Sequence, residues 1–151
     1  MPYVVIDTCV FVRLTGEHSN ALDGVRINRD VIAISNQAIS EYEVHFKPSR
    51  YLLLIFLQKL EREKIIKRFN SSFIESRLER ISKNEKIHYP KDKTDRKWIE
   101  LGVAVEARYI LSIDYHLLVV PKILVNKHEL EVVEPSSYLE RINQMISDKI
   151  S

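Results

Sequence analysis

The chain has 151 residues, 45% of them apolar and 29% charged, enough for one domain with a real core. Its single cysteine, Cys9, excludes an internal disulfide framework and a Cys-rich zinc site, and fits a reducing cytoplasm. The net charge of +2 conceals a polarity: positions 47–97 hold 15 Lys/Arg against 7 Asp/Glu, and the rest holds 8 against 14. A basic middle of this kind suits a polyanion such as RNA; the other reading of it is a solvated, salt-bridged helical hairpin.

Met1-Pro2-Tyr3 is not followed by the pattern of a signal peptide, and the longest apolar run, "YLLLIFL" at 51–57, is too short to span a bilayer. The three glycines, at 16, 24 and 102, leave no room for a dinucleotide fingerprint, a Walker A loop or a nucleophile elbow. None of the five histidines stands at metal-ligand spacing, and H-E-x-x-H is absent.

Taken in order, "YVVID" (3–7) reads as a strand buried on both faces. A short helix from Thr8 and another near 18–28 follow, then a second buried strand, "VIAIS" (31–35), and a helix over 36–46. Residues 49–68 read as one long helix, and "SSFIESRLERIS" as another opened by the capping box Ser72-x-x-Glu75. Asp92 reads as a loop residue, ahead of a helix over "TDRKWIELGVAVEARY" (94–109) that opens at Thr94 or Asp95. "YILSID" (109–114) is a third buried strand, "ILVN" and "LEVVEP" are short strands, and a closing helix begins near Pro135. The alternation predicts a three-layer α/β/α domain with a mostly parallel central sheet, carrying a basic helical section at about 48–84.

Two of these strands end in an acid, Asp7 and Asp114. Ligands of open parallel sheets bind beyond the carboxyl ends of the strands, so both acids belong to the edge where a site is expected. Asp95, at a helix start leading into the Asp114 strand, and Glu41, on a partly apolar helix face, can join them. Each aspartate could instead cap a helix. Together they describe converging carboxylates with no cation-supplying residue between them, an arrangement that a divalent ion would neutralise. Oxygen-only ligation selects Mg²⁺ or Mn²⁺.

The segments "VVIDTCVFV", "SNQAISEYEVHF", "PKDKTDRKWIELGVAVEARYILSIDYHLL" and "LEVVEPSSYLE" resemble the PIN-domain family of metal-dependent ribonucleases, which includes VapC-like toxins of toxin–antitoxin pairs. The resemblance covers the chain except roughly 48–84. It implies a cytoplasmic Mg²⁺- or Mn²⁺-dependent endoribonuclease, with Asp7, Glu41, Asp95 and Asp114 as the catalytic and metal-binding acids and Thr8 and Ser112 as hydroxyls orienting them. It further implies RNA as substrate, an antitoxin protein as partner, and a homodimer, to which the apolar breadth of "YLLLIFL" also points. The alternative is a PIN-like RNA- or protein-binding domain of weak catalytic power. The sequence departs from the family pattern at Cys9, which stands where Asn is common and is expected to be a small buried hydrophobe. It departs again at His116, where a second Asp is common. Gly102 replaces another small residue and predicts a close approach of helix to sheet.

Overall fold

A computed structural model of the chain describes residues 2–46, 50–83 and 86–150. It is a three-layer α/β/α fold around a six-stranded sheet of order β3-β2-β1-β4-β6-β5. The strands are β1 (Tyr3–Ile6), β2 (Val31–Ser35), β3 (Ile66–Phe69), β4 (Tyr109–Leu111), β5 (Ile123–Val125) and β6 (His128–Val133). All neighbouring pairs are parallel except β5 with β6. The central pairing sets Ile6 of β1 opposite Leu111 of β4. Val4, Val5, Ile6, Ile32, Ala33, Ile34, Ile110 and Leu111 are all fully buried, because helices cover both faces of a parallel sheet.

The helices are α1 (Thr8–Phe11), α2 (Ser19–Asn28), α3 (Asn36–His45), α4 (Arg50–Arg62), α5 (Ser71–Ser82), α6 (Arg96–Ala104), α7 (Tyr115–Leu118) and α8 (Pro135–Ile150). Two glycines mark close approaches. A Cβ at Gly24 of α2 would stand 2.9 Å from Leu139 Cδ2 of α8, and one at Gly102 of α6 would stand 3.1 Å from Ile110 Cδ1 and Leu130 Cδ2. The second is the helix-to-sheet contact expected at that position.

The structure revises several elements. The long helix over 49–68 ends at Arg62. Lys64 then adopts the left-handed conformation (φ 60°), and Ile65 N–H donates back to the Leu60 carbonyl at 3.2 Å. That turn releases Ile66–Phe69 as an edge strand pairing β2, and the exposed, charged Lys67 and Arg68 discourage further pairing at this edge. Ser72 does not cap α5. Asn70, directly after β3, accepts from Phe73 N–H at 2.8 Å and starts the helix two residues earlier. The helix expected over 94–109 stops at Ala104, well short of Tyr109. Cys9 is exposed rather than a buried hydrophobe, because α1 turns it outward while Thr8, Val10 and Phe11 pack inward.

On α4 the buried stripe is Leu53, Phe56, Leu57 and Leu60, leaving Tyr51, Leu54 and Ile55 at 70%, 42% and 41% exposure. Among the described residues no helix is long and apolar enough to cross a membrane.

The closing helix is pinned to the sheet by a buried polar contact. Tyr138 of α8 donates its hydroxyl to Asp30, between α2 and β2, at 2.6 Å, and Asn28 donates to the same carboxylate oxygen at 3.0 Å. Both Tyr138 and Asp30 are buried. Tyr138→Phe leaves that carboxylate without its principal donor, so urea denaturation of the variant is expected to show a loss of about 1–3 kcal/mol.

Candidate functional site

The parallel β1–β4 pairing brings Asp7 and the Ser112–Asp114 segment to one edge of the sheet. Asp7 follows β1 directly, and its N–H donates to the Leu111 carbonyl at 3.0 Å. Asp114 lies three residues past the end of β4, not at the strand's last position, because the chain turns away from the sheet after Ser112 to start α7. The ladder is carried one residue further by Ser112 N–H, which donates to the Val133 carbonyl at 3.0 Å.

Ser112 connects the two acids. Its fully buried hydroxyl donates to Asp7 Oδ2 and accepts from Asp114 N–H at 2.9 Å. The other oxygen of Asp7, Oδ1, accepts from Val10 N–H at 3.2 Å and caps α1. Asp114 likewise caps α7, accepting from His116 N–H at 2.9 Å. Capping and site placement therefore coexist at both residues, since each carboxylate has two oxygens. Asp95 does not follow suit. It stands at the N-cap of α6, after a 3-10 turn over Lys93–Asp95, and makes no capping hydrogen bond through its side chain. Asp92 is the residue that caps that turn, accepting from Thr94 N–H at 2.9 Å and from its hydroxyl at 2.8 Å.

Glu41 enters from α3. Thr8 donates its hydroxyl to Glu41 Oε2, joining the start of α1 to the middle of α3 across the site. The other oxygen, Oε1, accepts from Lys97 Nζ at 2.7 Å. Lys97 also donates to the Thr94 carbonyl. This ammonium corrects the expectation that no cation stands among the acids. Its nearness in sequence to Asp95 is the one signal the chain offers, and the partner it takes, Glu41, lies on a distant helix. The Val44 and His45 side of Glu41, expected to be partly apolar cover, is exposed; Ala38 supplies the buried contact. Beside Glu41 and Lys97 opens a cleft of about 660 Å³, lined in part by Asn36, Gln37, Lys93 and Arg96.

The electrostatics follow from burial and crowding. Asp7 is 3% exposed, and burial pushes its pKa up to about 6 from 3.8; Asp114 and Asp95 add to the rise, against the hydrogen bonds from Ser112 and Val10. Asp95 is raised by burial and by Asp114 and Asp92, with Lys97 opposing. The Tyr42 hydroxyl, which donates to the Ile6 carbonyl beneath the site, is raised well above its ordinary value by burial and by the charges of Asp7 and Glu41. Asp7, Asp95 and Asp114 thus share one field, and Glu41 reaches Asp95 within it.

All four acids offer only oxygen, and their mutual repulsion at Asp7 and Asp95 is of the sign that a hard divalent cation relieves. In donor chemistry the set fits Mg²⁺ or Mn²⁺. Among the described residues no three such side chains already stand together as a ligand group. No protein-family model matches this chain, and no curated protein is significantly similar to it.

Proposed function

We propose that the chain is a PIN-like endoribonuclease dependent on Mg²⁺ or Mn²⁺. The observation that carries this reading is Asp7: a carboxylate buried at the carboxyl end of a central parallel strand, its pKa raised by burial and by two neighbouring acids. Asp7, Asp95 and Asp114 would hold the cation, with Glu41 completing the set. A bound hard cation supplies Lewis acidity toward a phosphodiester and a more acidic water. The chain's own residues do the positioning. Ser112 fixes the Asp7 carboxylate and the backbone before Asp114, Thr8 fixes Glu41, and Lys93, Arg96 and Lys97 offer positive charge to phosphates in the adjoining cleft. Asp7→Asn combined with Asp114→Asn is expected to abolish Mn²⁺-dependent cleavage of single-stranded RNA. Undiminished cleavage by that variant overturns the reading.

One observation favours a second reading, a PIN-like RNA- or protein-binding domain of weak catalytic power: Glu41 is already engaged by Lys97 and Thr8. Titration with Mn²⁺ separates the two. A working site raises the melting temperature as the cation is added, by the equivalent of about 2.7 kcal/mol at a hundred times Kd, and an inert one leaves it unchanged.

A cytoplasmic toxin silenced by an antitoxin protein is the biological setting this reading suggests. Growth arrest on expression, relieved by a co-expressed neighbouring gene, tests it. The outward Tyr51, Leu54 and Ile55 of α4 support a homodimer, which light scattering at micromolar concentration would detect.

A further inference from the structure

A second cavity shares no residue with the acid site. It is a cleft of about 720 Å³ that includes Tyr3 and Arg108, at the amino ends of β1 and β4, whereas the acids lie beyond the carboxyl ends of these strands. Its volume falls in the range of small-molecule sites, roughly 300–1,000 Å³. Four cations line it, each from a different part of the chain: Lys67 from β3, Arg77 from α5, Arg108 from the α6–β4 connection and Lys149 from α8. Among the described residues none of the four forms an ion pair, although eight other cation–carboxylate contacts are made in the structure. Among the described residues Glu106 is the one carboxylate in the lining.

Four unpaired cations facing one concavity repel one another, and a multiply charged anion relieves that repulsion. The wall between them is aromatic. Tyr3 packs edge-on against Phe69 at 5.4 Å and Phe69 against Phe73 at 5.1 Å, while Arg77 lies over the Phe73 ring at 5.1 Å and Lys67 over Phe69 at 5.4 Å. Those ring contacts hold two of the cations in place at the cleft wall. Tyr3 and Phe73 remain half-buried, leaving ring surface against which a planar base can pack.

We propose that this cleft binds a nucleoside diphosphate or triphosphate. Arg77, Arg108, Lys67 and Lys149 take the phosphates, and the base lies along the Tyr3–Phe73 wall. A mononucleotide suits the cleft better than an RNA strand does, because the cations converge from four elements on one pocket rather than tracking along a stripe. The proposal is independent of the ribonuclease reading, since it uses none of the acids.

The test is fluorescence anisotropy of N-methylanthraniloyl-ADP with the full chain in EDTA, where no cation-dependent cleavage operates. Wild type is expected to bind saturably, with unlabelled ADP competing and adenosine failing to compete. Arg77→Gln and Arg108→Gln are each expected to weaken binding about tenfold or more. Lys122→Gln, a lysine outside the cleft lining, serves as control and leaves affinity unchanged. Circular dichroism and melting temperature establish that the variants are folded. Three results overturn the proposal: no saturable binding of ADP to wild type, an affinity that the paired Arg77→Gln and Arg108→Gln substitutions do not change, or displacement of the label by adenosine as readily as by ADP. Saturable, variant-sensitive binding of an oligoribonucleotide without any binding of ADP overturns it too, and assigns the cations to an RNA track.

Discussion

Asp7→Asn is expected to make the cation-free protein more stable at neutral pH while removing cleavage. The folded chain holds the Asp7 proton up to about pH 6, whereas the ordinary value is 3.8. A group whose folded pKa is raised contributes stability that is fully present below the unfolded pKa and is lost as pH rises through the folded one. Here the loss runs from about pH 4 to just above pH 6, and the shift corresponds to about 3 kcal/mol. An asparagine has no charge to bury. Its carbonyl oxygen can still accept from Val10 N–H, and the Ser112 hydroxyl can rotate to accept from its amide while retaining the bond from Asp114 N–H. In EDTA, urea denaturation should therefore show the variant more stable than wild type by about 1–3 kcal/mol at pH 7.5, with the difference vanishing near pH 4. A difference independent of pH would show that Asp7 is not the titrating group. Cation-dependent cleavage should fall by at least about a hundredfold, since even partners of metal ligands cost up to that much. Because a cation binds the ionised form, its affinity in wild type should climb with pH through the same window.

That opposition between stability and activity explains why the site could be read from the sequence at all. A buried acid directly after a fully apolar strand is destabilising where it stands, as Asp7 is at the end of "YVVID", and "YILSID" repeats the pattern of an apolar run leading to an acid. The apolar runs of β1, β2 and β4 were legible because central parallel strands are buried on both faces. β3 was not, because this edge strand buries only Ile66 and Phe69 and leaves Lys67 and Arg68 exposed, a pattern that continues the charged end of α4 without a visible break. The stop comes from Lys64 in a left-handed conformation, which glycine or asparagine would have announced and lysine does not. Ser112 and Thr8, singled out in the sequence as hydroxyls beside Asp114 and Asp7, each bond to an acid of the set. Lys97 stayed hidden for a different reason: its partner Glu41 is 56 residues away, and only the packing of α3 against α6 brings them together. The cationic cleft at the other end of the sheet was equally invisible, because Lys149 and Lys67 belong to opposite halves of the chain. The basic middle section was legible as a charge excess, but its distribution over two separate clefts was not.

Trp98→Ala is expected to damage both the fold and the site. Trp98 is 1% exposed on the inner face of α6 and stacks on Tyr42 at 5.8 Å and 18°. Tyr42 in turn stacks on Phe11 at 3.9 Å and 2°, and its hydroxyl donates to the Ile6 carbonyl, one residue before Asp7. This column of three rings links α6, α3 and α1, the helices that carry Lys97, Glu41 and Thr8. Removing the indole leaves a cavity next to Tyr42 and should cost about 3–5 kcal/mol, a large part of the 5–15 kcal/mol typical of a domain. Trp98 is the only tryptophan, so the unfolding of this variant must be followed by circular dichroism rather than by its fluorescence. Trp98→Phe keeps a ring in the column and should cost less. A bracing role makes a further demand on the two variants. Under conditions where both remain folded, Mn²⁺ affinity and cleavage should fall in Trp98→Ala more than in Trp98→Phe, since Tyr42 adjoins Glu41 on α3 and its hydroxyl holds the Ile6 carbonyl just before Asp7. If Trp98→Ala costs less than about 1 kcal/mol, or leaves cation affinity at the wild-type value, the stack fills space without aligning the acids.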